Sequence, residues 1–175
     1  LYSNMMVQVR AGRLLGSGVI VASDTDYIWI ATAGHVVDER EGAVSITFMD
    51  GYETGTSDIQ RLSPQDLAIL KISRCDLVEK LGDNEYDDHG EGYCVAVLSQ
   101  KAFDETRDGD LVIAMGSRSG VGEDAYAGVI SEDYIYLEDF GANMIVAEVN
   151  VTPGMSGGGL FDAEGRLLGI ICGIS

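Results

Sequence analysis

Three residues able to share the work of acyl transfer stand far apart in this chain of 175 residues: His35, Asp66 and Ser156. Ser156 sits in Val151-Thr152-Pro153-Gly154-Met155-Ser156-Gly157-Gly158-Gly159-Leu160-Phe161, a glycine-rich stretch that runs into apolar residues. Glycine admits positive φ and close backbone approach. A serine held among glycines can present its hydroxyl at a sharp turn, with backbone N–H groups directed at the same point. Acyl transfer needs that combination of a nucleophile and an oxyanion hole. The plainer alternative is a glycine-rich loop between two strands.

A serine hydroxyl needs a base. His35, one of two histidines, follows a strongly apolar segment in Ala31-Thr32-Ala33-Gly34-His35-Val36-Val37, where small neighbours leave room for a partner. Imidazole titrates near neutral pH and can shuttle a proton there; a purely structural histidine is the other reading. Asp66 precedes the apolar run Leu67-Ala68-Ile69-Leu70-Lys71-Ile72. A carboxylate at the mouth of a buried strand is costly to desolvate unless something binds it. A histidine Nδ1–H is a suitable partner, and the charge then stabilises the imidazolium formed in catalysis. An ordinary turn aspartate is the alternative here.

The elements that must position these residues read as strands. Met5 to Arg10, Leu14 to Ala22, Tyr27 to Thr32, Ala43 to Met49, Ile59 to Leu62 and Leu67 to Ile72 are short apolar or β-branched runs. Asp24-Thr25-Asp26 reads as a turn and Asp50-Gly51 as a hairpin signal. Their regular spacing suits a barrel or sandwich. Residues 73–110 differ, with an acidic patch around Asp83-Asn84-Glu85-Tyr86-Asp87-Asp88 that reads as a solvated linker before a strand at Tyr93 to Leu98. A second set follows at Asp110 to Met115, Ala125 to Ser131, Tyr134 to Leu137, Met144 to Val149, Gly158 to Asp162 and Leu167 to Cys172. The expected division is a first barrel over 1–75, a linker over 76–108 and a second barrel over 109–175.

Composition narrows the function classes. Acids outnumber bases 29 to 11, for a formal charge of -18; such a surface repels nucleic acid and anionic membranes. No apolar run approaches the ~20 residues of a membrane span. Leu1-Tyr2-Ser3-Asn4 does not read as a signal peptide, which suggests a mature chain or an excised domain. Cys75, Cys94 and Cys172 are an odd number without a CxxC pair, so a disulfide framework is not expected. The loop with Asp83, Glu85, Asp87, Asp88, His89 and Glu91 could bind Ca²⁺ through its carboxylate oxygens but lacks the alternation of an EF-hand loop. Gly116-Ser117-Arg118-Ser119-Gly120-Val121-Gly122 is not followed by Gly-Lys-Ser/Thr and reads as a loop beside the site, not a phosphate loop. Neither a metal nor a cofactor is expected.

In the order His, Asp, Ser the chain resembles the chymotrypsin-like serine peptidases, most nearly the HtrA/Deg type. The matching stretches are Gly16-Ser17-Gly18-Val19-Ile20, Thr32-Ala33-Gly34-His35-Val36-Val37, Asp66-Leu67-Ala68-Ile69-Leu70-Lys71-Ile72, Gly109-Asp110-Leu111-Val112-Ile113-Ala114-Met115-Gly116, Gly128-Val129-Ile130-Ser131 and Pro153-Gly154-Met155-Ser156-Gly157-Gly158. The resemblance implies an all-β fold of two antiparallel six-stranded barrels with the active site between them. It implies a triad of His35, Asp66 and Ser156. The oxyanion hole would lie at Gly154, Met155 and Ser156, through the N–H groups of Gly154 and Ser156. The specificity pocket would draw on Asn150, Val151, Thr152, Cys172, Gly173 and Ile174. No aspartate stands at the expected base of that pocket, which favours a small or medium apolar side chain before the cut over Arg or Lys.

The chain also departs from the family. Trypsin-type enzymes carry an aspartate before the nucleophile that pairs with a freshly cut N-terminus; Met155 stands there, so no such zymogen switch is expected. The sequence stops at Ser175, where the family continues with a strand that closes the second barrel; the expectation is either a truncated sequence whose second barrel lacks that strand or a barrel completed differently. The resemblance implies a polypeptide substrate, no nucleic acid partner, any regulatory partner or domain outside this chain, and a place outside the cytoplasm, secreted or as a domain of a membrane-anchored protein. A catalytically silent or trigger-dependent peptide-binding module of the same fold is the alternative from another class.

Overall fold

A computed structural model describes residues 3–118 and 123–173. Its first sheet is built from β1 (Met6–Ala11), β2 (Leu14–Ser23), β3 (Tyr27–Thr32), β4 (Val44–Phe48), β5 (Glu53–Thr56), β6 (Ile59–Arg61) and β7 (Ala68–Ser73), with a short helix α1 (Gly34–Asp38) after β3. The strand order is β5-β4-β1-β2-β3-β7-β6, all antiparallel. β5 and β6 are the two edges of this order, yet only Ser57 and Asp58 separate them in the chain. The sheet must therefore curl until its edges meet. The Lys71 N–H donates to the Asp58 carbonyl and the Thr56 hydroxyl to the Lys71 carbonyl at that seam. The result is a barrel in which β5 and β6 act as two halves of one bent strand. Alternation fills it: β4 and β7 bury every second residue, and Val7, Val9, Ile20, Ile30, Ile46, Phe48 and Leu70 point inward together.

The acidic linker carries more order than its composition suggested. β8 (Val78–Lys80) and β9 (Tyr86–Asp88) form a two-stranded hairpin. His89 pins it to the barrel. Its Nδ1 lies 2.7 Å from Asp50 Oδ2 in the β4–β5 turn, its Nε2 lies 2.8 Å from Glu79 Oε2 in β8, and its ring stacks on Tyr52. Tyr93 donates to the other Asp50 oxygen and stacks on Phe48. The strand expected at Tyr93 to Leu98 is only β10 (Val97–Leu98), because the preceding backbone leaves the sheet to reach the first barrel, where the Ala96 N–H bonds the Ile20 carbonyl.

A helix α2 (Gln100–Glu105), capped by Ser99, leads into the second sheet: β11 (Leu111–Gly116), β12 (Asp124–Leu137), β13 (Ala142–Glu148), β14 (Gly159–Asp162) and β15 (Arg166–Ile170). Its order is β10-β15-β14-β11-β12-β13, with β10 parallel to β15 and the other pairs antiparallel. β12 runs unbroken through the two segments expected from sequence, bending at register shifts around Glu132. This sheet curls as a half-barrel. Its concave side is an apolar groove of about 740 Å³ whose lining includes Ala114, Met144, Ile145, Leu160, Leu168 and Ile171. Met5, Met6, Val19, Met115, Phe161 and Leu167 form a shared core that joins the two halves. The fold is all-β and of the double-barrel class. Among the described residues, no helix is long and apolar enough to cross a membrane.

Candidate active site

His35 lies in the first turn of α1, a five-residue helix whose N-cap, Ala33, has no side chain to offer. The first N–H groups of a helix need partners from elsewhere. Asp66, 31 positions away, supplies one: its Oδ1 accepts the His35 N–H at 2.7 Å. Its Oδ2 lies 2.7 Å from His35 Nδ1. An ionised carboxylate only accepts, so Nδ1 carries the proton and Nε2 is left with a free lone pair. Asp66 thus fixes the helix start, the ring orientation and the tautomer at once. The Asp66 side chain is 17% exposed and that of His35 44%, which leaves the imidazole edge open to a substrate.

Arg61 brackets this pair. Its guanidinium bonds Asp38 at the end of α1 (3.0 Å), the carbonyls of Gln65 and Leu67 on either side of Asp66, and approaches Asp66 Oδ1 to 3.7 Å. The end of β6 therefore clamps the helix that carries the histidine to the loop that carries the aspartate. Nothing in the spacing of the sequence marked Arg61 for this role.

Ser156 lies in two successive tight turns. The Met155 N–H returns to the Thr152 carbonyl at 3.1 Å and the Gly158 N–H to the Met155 carbonyl at 2.9 Å. Gly154 and Gly157, the third residues of these turns, have φ of +94° and +89°. With Pro153 ahead of Gly154, the first has the residue pattern of a type II turn. Met155 is fully buried in the core of the second half with Ala114 and Leu160; such burial stabilises by about 1.5–3 kcal/mol. It anchors the loop by packing, where an aspartate would need an ionic partner. The loop is held to the first barrel as well: the Ser17 N–H of β2 donates to the Ser156 carbonyl at 2.8 Å. A side chain at Gly157 would collide with the Ser17 carbonyl and the Thr32 hydroxyl, close to the Ala33 amide. The loop of Ser156 therefore sits against Thr32 and Ala33, the two residues that lead into the helix of His35.

The Gly154 and Ser156 N–H groups donate to no acceptor among the described residues, whereas the Met155 N–H is taken by Thr152. Ser156 Oγ makes no hydrogen bond to His35 among the described residues. Unliganded sites often show such bonds long, tightening only with substrate.

Of the expected pocket residues, Val151, Cys172 and Gly173 line the groove together with Asp66. Asn150 and Thr152 are not on its wall; Asn150 is exposed, and the Thr152 hydroxyl is buried without a hydrogen-bond partner among the described residues. Ile174 lies outside the described residues. Burial pushes the Cys172 thiol up to about 11, and its Sγ lies 3.4 Å from the Asp66 carbonyl. Ser119 to Gly122 of the glycine-rich loop also lie outside the described residues. Its start is placed: Arg118 lies against Gly154 and pairs with Asp124 at 3.0 Å, which holds the guanidinium above its ordinary range.

The family described as trypsin-like peptidase domain matches residues 16–170. A probable periplasmic DegP-like serine endoprotease of Buchnera aphidicola is 30% identical over 96% of this chain and 32% of its own length. The periplasmic pH-dependent serine endoprotease DegQ of Escherichia coli is 28% identical over 89% of this chain and 30% of its own. The chain thus spans about a third of the length of these relatives. Among solved structures, an inactive form of the Rv3671c protease of M. tuberculosis aligns at a TM-score of 0.72 and 20% identity, covering 99% of this chain and 77% of that one. That likeness is one of fold. The match over residues 16–170 and the DegP and DegQ relatives agree with the barrel fold: the chain belongs to the trypsin-like peptidase domain family and is of its HtrA type.

Proposed function

We propose that this chain is a serine endopeptidase domain in which Ser156 attacks the scissile carbonyl. His35 Nε2 takes the hydroxyl proton and later delivers it to the leaving amine. Asp66 holds the tautomer and stabilises the imidazolium. The Gly154 and Ser156 N–H groups receive the negative charge of the tetrahedral intermediate. The observation that carries this reading is the double grip of Asp66 on the backbone N–H and Nδ1 of His35, both at 2.7 Å. A capping aspartate alone would need only the first bond.

The substrate is a polypeptide lying in the cleft between halves that we assign to 1–75 and 109–175. Val151, Leu160, Leu168 and Ile171 on the groove wall favour an apolar side chain before the cut. The periplasmic names of the relatives support a place outside the cytoplasm. The open Ser156–His35 contact supports a second form of the same reading, in which substrate or a partner completes the site.

A fluorophosphonate probe tests this. The folded chain is expected to label stoichiometrically, and Ser156→Ala not at all. Equal labelling of both would place the reactive group elsewhere. No labelling of either, with or without a peptide ligand, would favour a silent binding module.

A further inference from the structure

Ser17 is fully buried in β2, and all its polar groups are engaged. Its N–H donates to the Ser156 carbonyl and its hydroxyl to the Gly154 carbonyl, both at 2.8 Å. The hydroxyl accepts the Ser117 N–H at 2.9 Å, and the Ser17 carbonyl accepts the Thr32 hydroxyl at 2.7 Å. One residue of the first barrel therefore grips two carbonyls of the nucleophile loop and the amide that opens the neighbouring loop of the second half.

We infer that Ser17 is a positioning residue for the oxyanion hole, locking from behind the peptide planes that flank its two donors. This rests on the function proposed above. A trans peptide directs its C=O and N–H in opposite directions. The plane between Gly154 and Met155 is pinned at both ends, by the Ser17 hydroxyl on the carbonyl and by the Thr152 carbonyl on the N–H. The plane after Ser156 is pinned by the Ser17 N–H on its carbonyl and by the Ile171 carbonyl, which accepts the Gly157 N–H at 2.7 Å. The unclaimed Ser156 N–H lies between these fixed planes, and the unclaimed Gly154 N–H immediately precedes the first of them. Gly154 is the freest residue of the loop, since glycine crosses between positive and negative φ at little cost. The Ser17 hydroxyl is the contact that holds its carbonyl in the observed state. Without it, Gly154 can rotate and carry its N–H away from the reacting oxygen. Preorganised donors act because they need no such reorganisation at the moment of reaction.

Ser17→Ala keeps the backbone bond and removes the hydroxyl. Deleting an oxyanion donor outright costs about 10²–10³-fold in kcat; loosening one is expected to cost about 10- to 100-fold. The fluorophosphonate labelling rate and kcat on a peptide ester should fall by that factor, with KM within about twofold. A merely structural serine would lower the melting temperature and leave kcat per folded molecule unchanged, and that result overturns the inference. Should Ser17→Ala fail to fold, Ser17→Cys decides: it keeps the packing but offers only a weak S–H donor. Its labelling rate should drop at least tenfold, and a wild-type rate overturns the inference. A wild-type chain that does not label at all refutes the proposed function itself and removes this inference with it. Wild-type labelling matched by Ser17→Ala refutes the role of Ser17 alone.

Discussion

Replacing Asp66 by Asn isolates the tautomer from the rest of the site. Asn is nearly the same size, so the loop between β6 and β7 and the Arg61 clamp should stay in place. Its amide oxygen can still accept the His35 N–H where Asp66 Oδ1 does now, at 2.7 Å. Its NH₂ then faces His35 Nδ1, where Oδ2 now sits at 2.7 Å. Two donors cannot share that contact. The ring must shift its proton to Nε2, so that Nδ1 accepts from the amide. Nε2, which takes the serine proton in the proposed mechanism, then carries a hydrogen and cannot do so, and no charge remains to stabilise an imidazolium. The same change in a triad of this type lowers kcat about 10⁴-fold, equivalent to about 5.5 kcal/mol of barrier. Stability should fall much less, by roughly 1–3 kcal/mol for two charge-assisted hydrogen bonds made neutral. The assay is kcat and KM on a peptide ester together with a thermal melt. A fall in kcat under tenfold in a folded variant would refute the reasoning, since Asp66 would then be no more than a helix cap.

Two other predictions concern the surroundings of the site. His89 is raised above its ordinary value of 6.5 by its bond to Glu79, with burial opposing and the bond to Asp50 and the charge of Asp87 assisting. Burial pulls Asp50 up, but its bonds from His89, the Tyr52 N–H and Tyr93 outweigh this and hold it below 3.8. A raised histidine contributes stability that is full below about pH 6.5 and lost as pH rises through its folded value; a lowered aspartate contributes above about pH 3.8 and loses it on acidification. The melting temperature of the wild type should therefore exceed that of His89→Gln by about 2–4 °C more at pH 6 than at pH 9, for roughly 1 kcal/mol of clamp, and an equal gap at both pH values would contradict the imidazolium bridge. For the thiols, iodoacetamide at pH 8 should alkylate the exposed Cys75 and Cys94 well before Cys172, whose thiol is held near 11 by burial; peptide mass mapping over time reads the order.

What the sequence made legible divides along the line between local and distant interactions. β3 was bounded to the residue, because Tyr27-Ile28-Trp29-Ile30-Ala31-Thr32 is rich in aromatic and β-branched residues. β5 escaped, although Asp50-Gly51 announced a hairpin, because Glu53-Thr54-Gly55-Thr56 lies at an edge and has no apolar side chain whose alternation could reveal a strand. α1 escaped because five residues are too few to display a helical period. Glu132-Asp133 reads as a break between two strands; the observed strand bridges it with register shifts on either side of Glu132. His35, Asp66 and Ser156 were legible as chemistry because each carries a local pattern, of which the glycines around Ser156 are the plainest. Ser17, Arg61 and His89 were not. Their work is done on Gly154 (137 positions away), Asp38 (23 away) and Asp50 (39 away), and no local spacing encodes such contacts.

The central claim is that Ser156 becomes acylated. Mixing the chain with an activated acyl ester, quenching in acid and weighing the intact protein measures this, with peptide mapping to locate the adduct. One acyl group per chain on the peptide containing Ser156, absent in Ser156→Ala and in His35→Ala, is the expected result. An adduct that persists in Ser156→Ala, or none in a folded chain given a bound peptide, would contradict it.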